Sequence, residues 1–117
     1  MMEPIKRLHP GASLSRLVEH GNLVFVAGTT ADDKSASCKN QTEQVLGKID
    51  KLLAEAGTDK SRILWCNVWL NDMREKDGMD AAWQAWIPAD AKPARATVEA
   101  RLATPDTRVE IMMICAK

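Results

Sequence analysis

The feature that most limits this chain is a pair of strand-like runs near its C-terminal end, Arg95–Leu102 and Arg108–Cys115. In the second run, Val109, Ile111, Met113 and Cys115 point one way while Glu110, Met112 and Ile114 point the other, because successive side chains leave opposite faces of a strand. Ala103–Thr107, with Pro105, separates the runs. The pattern predicts two paired strands closed by a loop rather than a two-residue turn. Each run also carries charge that a buried strand does not ordinarily accept. Arg95 opens the first and Glu110 lies inside the second. A carboxylate among apolar neighbours must be paired, hydrated or chemically used.

Upstream, Ile5–Leu8 and Leu14–Glu19 read as short strands divided by the breaker cluster His9-Pro10-Gly11. His20-Gly21-Asn22 turns into the β-rich run Leu23–Gly28, which suggests a hairpin. From about Ser37 to Ala56 the period changes. Val45, Leu46, Ile49, Leu52 and Leu53 recur at helical spacing, with Ser37 or Asn40 as the cap and Gly57 as the stop. Ile63–Leu70 is a further strand, with Leu64, Cys66, Val68 and Leu70 expected on one face and Ile63, Trp65, Asn67 and Trp69 on the other. Asn71-Asp72 caps a second helix through Trp86, striped by Met79, Ala82, Trp83 and Trp86. The predicted order is β-β-β-α-β-α-β-β, an α+β domain over residues 1–117.

Two helices shield one face of such a sheet. The other, with Trp65, Trp69, Met112 and Ile114, would be a larger apolar patch than soluble monomers usually expose. A homo-oligomer with sites between subunits is therefore expected. Sixteen basic and sixteen acidic residues cancel, which argues against a nucleic-acid partner. No apolar run approaches a membrane span, and the first residues lack the apolar segment of a secretion signal. Three cysteines without CxxC or HxxxH spacing support neither a disulfide framework nor a metal site, and suggest a cytoplasmic protein. Cys66 and Cys115 read as core residues and Cys38 as the one exposed thiol; His9 and His20 read as surface residues beside turns.

The element order and the stretch PARATVEARL…RVEIMMICA resemble the Rid (YjgF/RidA) superfamily of enamine/imine deaminases, also called the endoribonuclease L-PSP family. GNLVFVAGT and WQAW add to the resemblance, and Ala94, Arg95, Val98, Val109, Glu110 and Ile111 match its C-terminal signature. AAWQAWI before PARATV is most similar to the YoaB-like branch. The resemblance implies a homotrimer of chorismate-mutase-like fold with clefts between subunits and no cofactor. It also implies hydrolysis of 2-imino or enamino acids to 2-keto acids and ammonia. Arg95 would grip the substrate carboxylate and Glu110 would position or activate water. This chain departs from the family's pocket at Leu14, Ala27, Thr97 and Asp80, the further positions expected to meet substrate.

Each residue also has a purely structural reading. A guanidinium matches a carboxylate with two parallel donors, yet Arg95 can equally pair with Glu99 or Glu110. Glu110 can take a proton from attacking water, or answer Arg95 or Arg108. Thr97 shares a strand face with Arg95 and is also a good strand former. Asp80 can face the cleft or solvent. Trp83 and Trp86 can pack the core or wall the cleft. A non-catalytic binder of small carboxylates is the alternative function. Ribonuclease activity fits poorly with zero net charge and no histidine pair. Chorismate mutase chemistry needs more cations than Arg95 alone.

Overall fold

Two helices lie across one face of a single six-stranded sheet in the computed structural model, which describes residues 4–117. The strands are β1 (Ile5–Pro10), β2 (Ser15–His20), β3 (Leu23–Thr29), β4 (Ile63–Leu70), β5 (Ala94–Glu99) and β6 (Val109–Ala116). The helices are α1 (Cys38–Glu55) between β3 and β4, and α2 (Lys76–Trp86) between β4 and β5. This is the β-β-β-α-β-α-β-β order that the sequence predicts. Ser37 caps α1, its hydroxyl accepting from the Asn40 amide at 3.2 Å. Gly57, at φ 75°, ends the helix region in the left-handed conformation that costs glycine least.

The strand order is β1-β2-β3-β6-β4-β5, which corrects one expectation. The two C-terminal strands are not partners. β6 lies between β3 and β4, antiparallel to both, and β5 lies outside β4 and parallel to it. The reason is visible in composition. β6 is apolar on both faces and belongs in the middle of a sheet, whereas the shorter, charged β5 suits an edge. A helical crossover through α2 is the connection that parallel neighbours require.

A second correction concerns β4. Its register with β6 shifts between Ile63 and Trp65. Ile63 therefore joins Cys66, Val68 and Leu70 in the core, while Leu64 turns outward and is 50% exposed. An irregularity of this kind breaks the alternation on which the facing was assigned. Cys38 is the third. It is buried at the first turn of α1, on the face shared with Gln41, Thr42 and Val45, and is not an exposed thiol.

The core lies between sheet and helices. Leu17, Val24, Val26, Val68, Leu70, Ile111 and Met113 are fully buried against Val45, Ile49, Leu53 and Met79. Each such side chain contributes about 2 kcal/mol on removal from water. Gln41, also fully buried, holds two loops to this core. Its amide nitrogen donates to the carbonyls of Lys34, Ala36 and Asp106, and its oxygen accepts from the Arg108 amide. Among the described residues no helix covers the opposite face. Phe25, Ile114 and Trp65 lie side by side across β3, β6 and β4, with Met112 and Trp69 further along.

Candidate functional site

Arg95 stands opposite Cys66 in the β4–β5 register, and so projects from the face that α2 covers. Three residues of that helix receive it. One terminal nitrogen donates to Asp80 Oδ1 at 2.8 Å, and the other approaches Met79 Sδ at 3.8 Å. The guanidinium carbon lies 5.2 Å from the Trp83 ring centroid, a cation–π distance. Only about a fifth of the Arg95 side chain is exposed. Because β5 is an edge strand, the guanidinium borders an open cleft of about 440 Å³ lined also by Asp80, Trp83, Gln84, Ile87, Ala89 and Lys92.

Asp80 takes a second cation, Lys76 Nζ at 2.5 Å, one helical turn earlier. Partial burial pushes its carboxyl up, but the bonds and charges of Lys76 and Arg95 outweigh that and hold it below the usual 3.8. The partner of Arg95 is thus neither Glu99 nor Glu110. Glu99 accepts from the Met73 amide at 2.9 Å, and Arg108 pairs with Glu75 at 2.8 Å.

Glu110 projects from the other face. It stands opposite Trp69 on β4 and is half-buried, and its carboxylate has no hydrogen bond or ion pair among the described residues. Its carboxylate lies against Gly28 so closely that any side chain there would collide with it. The absence of a side chain at Gly28 is what lets the Glu110 carboxylate lie there; a Cβ would push it aside. Arg16 braces the same corner, donating to the Gly28 carbonyl at 3.2 Å and to Thr29 Oγ1 at 2.9 Å.

The candidate residues therefore divide. Arg95, Thr97 and Asp80 belong to the helix-covered side at the β5 edge, whereas Glu110 and Ala27, beside Gly28, belong to the β3–β6 end. Leu14, 54% exposed, precedes β2 two residues before Arg16. The Thr97 hydroxyl is buried and has no hydrogen-bond partner among the described residues. Trp83 walls the cleft; Trp86 instead donates to Asp50 at 2.9 Å. Sequence reasoning missed Lys92 and the Asp80–Arg95 pair. The Lys76–Asp80 spacing of four was a legible helix signal, but nothing in the sequence joined it to Arg95.

The thiols offer no nucleophile. Burial pushes Cys66 up to about 12, against a smaller opposing effect of Arg95, and burial also raises Cys38 and Cys115. A thiol so placed stays protonated near neutrality. His9 and His20 are exposed, and His9 bonds Glu55 at 2.6 Å.

A single-sheet α+β domain with a cationic cleft at one sheet edge is the class of protein this geometry defines. Comparison with known proteins makes it specific: residues 4–117 match the family described as Endoribonuclease L-PSP, and the chain belongs to that family, the YjgF/Rid superfamily. A RutC family protein of Haemophilus influenzae is 42% identical over 111 residues, covering 94% of this chain and 96% of that one. RutC family protein YoaB of Escherichia coli is 35% identical over 112 residues, covering 96% and 97%, in keeping with the YoaB-like branch. The crystal structure of a YjgF-family protein from Neisseria meningitidis superposes with a TM-score of 0.96 at 37% identity, over 100% of this chain and 98% of that one.

Proposed function

We propose that this protein hydrolyses reactive 2-imino or enamino acids to 2-keto acids and ammonia, in clefts where copies of a homotrimer meet. The observation that carries the reading is the division of the site. Arg95 is presented at a sheet edge and Glu110 stands on the opposite face, so one copy's guanidinium can meet the carboxylate only of another. The uncovered apolar face, with Trp65 at 42% and Val98 at 48% exposure, supports such an assembly.

Arg95 would bind the substrate carboxylate. A guanidinium carries five donors, and Asp80 and Met79 engage one nitrogen each. The neighbour's Glu110 would hold a water against C2 of the protonated imine and take its proton as the C–O bond forms. The carbinolamine nitrogen then recovers that proton and the C–N bond breaks. The hydroxyl proton leaves with the ammonia as ammonium, and the 2-keto acid remains. The reading requires no cofactor. Among the described residues no helix is long and apolar enough to cross a membrane, and three buried, unbridged thiols are compatible with a cytoplasmic setting.

The test uses two crippled variants. Arg95→Ala and Glu110→Gln each lower turnover of 2-iminopropanoate, generated by an amino-acid oxidase and followed as semicarbazone, by about a hundredfold. Unfolding and reassembling them together restores about a quarter of wild-type activity, because that share of interfaces in a random mixture joins two intact halves. Recovery of nothing from a properly reassembled mixture excludes a shared cleft. Failure of the wild type to speed imine loss excludes the reaction for that substrate. The Asp80–Arg95 pair favours one second reading, a non-catalytic carboxylate binder with its anchor already engaged. That reading wins if keto acids raise the Tm while imines are not consumed.

A further inference from the structure

The charges around the cleft do not balance, and the imbalance carries information about the ligand. Asp80 is the only acid among the described residues lining it. It pairs with Arg95 at 2.8 Å and with Lys76 at 2.5 Å, the latter outside the lining. Set against Arg95, Lys76 and Lys92, that one carboxylate leaves a net excess of two positive charges. Lys92 lies within ion-pair distance of no acid among the described residues. The excess is local, since the chain as a whole is neutral.

A three-carbon imino acid brings one carboxylate and leaves Lys92 unanswered. Lys92 and Arg95 are three residues apart, at most about 10 Å of extended chain, within reach of two carboxylates separated by two or three carbons. Trp83, Ile87 and Ala89 form an apolar wall in the same cleft, suited to the intervening methylenes.

We infer that the cleft selects substrates with a second anionic group, 2-imino or 2-keto dicarboxylic acids, with Arg95 holding the α-carboxylate and Lys92 the distal one. This rests on the reading of Arg95 as carboxylate anchor and deepens it to a substrate class. Lys92 is exposed, so solvent weakens its contribution and the preference is about tenfold rather than thousands.

The experiment compares kcat/KM for 2-iminosuccinate and 2-iminopropanoate, each generated in place from aspartate or alanine by the matching oxidase. A dicarboxylate preference of about tenfold is expected. Lys92→Gln reduces the ratio to about one, chiefly through KM for the dicarboxylate. Lys51→Gln, on the outer surface of α1, leaves the ratio unchanged and controls for net charge. Equal rates for both imines, or a ratio indifferent to Lys92→Gln, overturn the inference while the deaminase reading stands. If neither imine is consumed, the deaminase reading falls and the inference is judged by binding. A larger Tm rise with 2-oxoglutarate than with pyruvate, abolished by Lys92→Gln, upholds it; equal rises overturn it.

Discussion

The two faces of the sheet are made from the same strands yet solve different problems. Under the helices lies the closed core, and most charged groups on that side have partners: Arg95 with Asp80, Arg108 with Glu75, and Glu19 with Lys117 at 2.6 Å, whereas Lys92 in the cleft has none among the described residues. On the open face, Phe25, Trp65, Trp69, Met112 and Ile114 have no helix over them, and Glu110 has no partner among the described residues. One face is closed within the protomer except near β5, where Lys92 in the cleft and the Thr97 hydroxyl lack partners among the described residues, while the other retains apolar surface and an unspent carboxylate. Groups left unsatisfied in one copy are where a second copy or a ligand has most to gain.

The largest test of that contrast sets neighbours on β6 against each other. Ile111→Ala, beneath the helices, is expected to cost about 4 kcal/mol in urea unfolding at any protein concentration. The cost of Ile114→Ala should instead grow with concentration, because a second copy covers that face in the proposed assembly. Equal, concentration-independent costs break the comparison. Next comes Gly28→Ala, which drives the Glu110 carboxylate from its place. Activity should fall about tenfold to a hundredfold, with a much smaller change in Tm, since misplacing a reacting group by about 1 Å is costly to rate.

Smaller effects sharpen the helix-covered side. The folded Asp80 carboxyl lies below its ordinary value, so its pairing adds stability above the unfolded pKa near 4 and loses it as pH falls through the lower folded value. Asp80→Asn should lower stability by about 1 kcal/mol at pH 7, and the gap from wild type should close as pH falls below the ordinary carboxylate range. A gap that persists at low pH would show that shape, not charge, matters there. Thr97→Val removes a buried, unpartnered hydroxyl and is expected to raise stability by up to about 1 kcal/mol. Should it instead weaken substrate binding, the hydroxyl reaches the ligand after all.

Arg95 and Glu110 show how far the sequence could be read. Both stood out because charge in a strand is conspicuous, and both occupy distinctive places. Their partners were not legible. Asp80 is fifteen residues from Arg95 and meets it only because the β4–α2–β5 crossover lays one helix over one edge. Gly28 is eighty-two residues before Glu110, and the two touch only because β6 inserts beside β3. The β5–β6 pairing failed for the same reason: adjacency in sequence was taken for adjacency in the sheet. Local shift defeated the facing of Leu64, because a register irregularity leaves no mark on hydrophobic alternation.

What the chain alone determined was periodic and local: eight elements, the apolar stripe of each helix, the Ser37 cap and the Gly57 stop. Side-chain spacing and backbone preference act within a few residues, so a linear reading captures them. Tertiary structure decided which strands became neighbours, which face each charge entered and what answered it. Those outcomes depend on how the whole sheet can bury its most apolar strand at the centre, and no single segment encodes that choice.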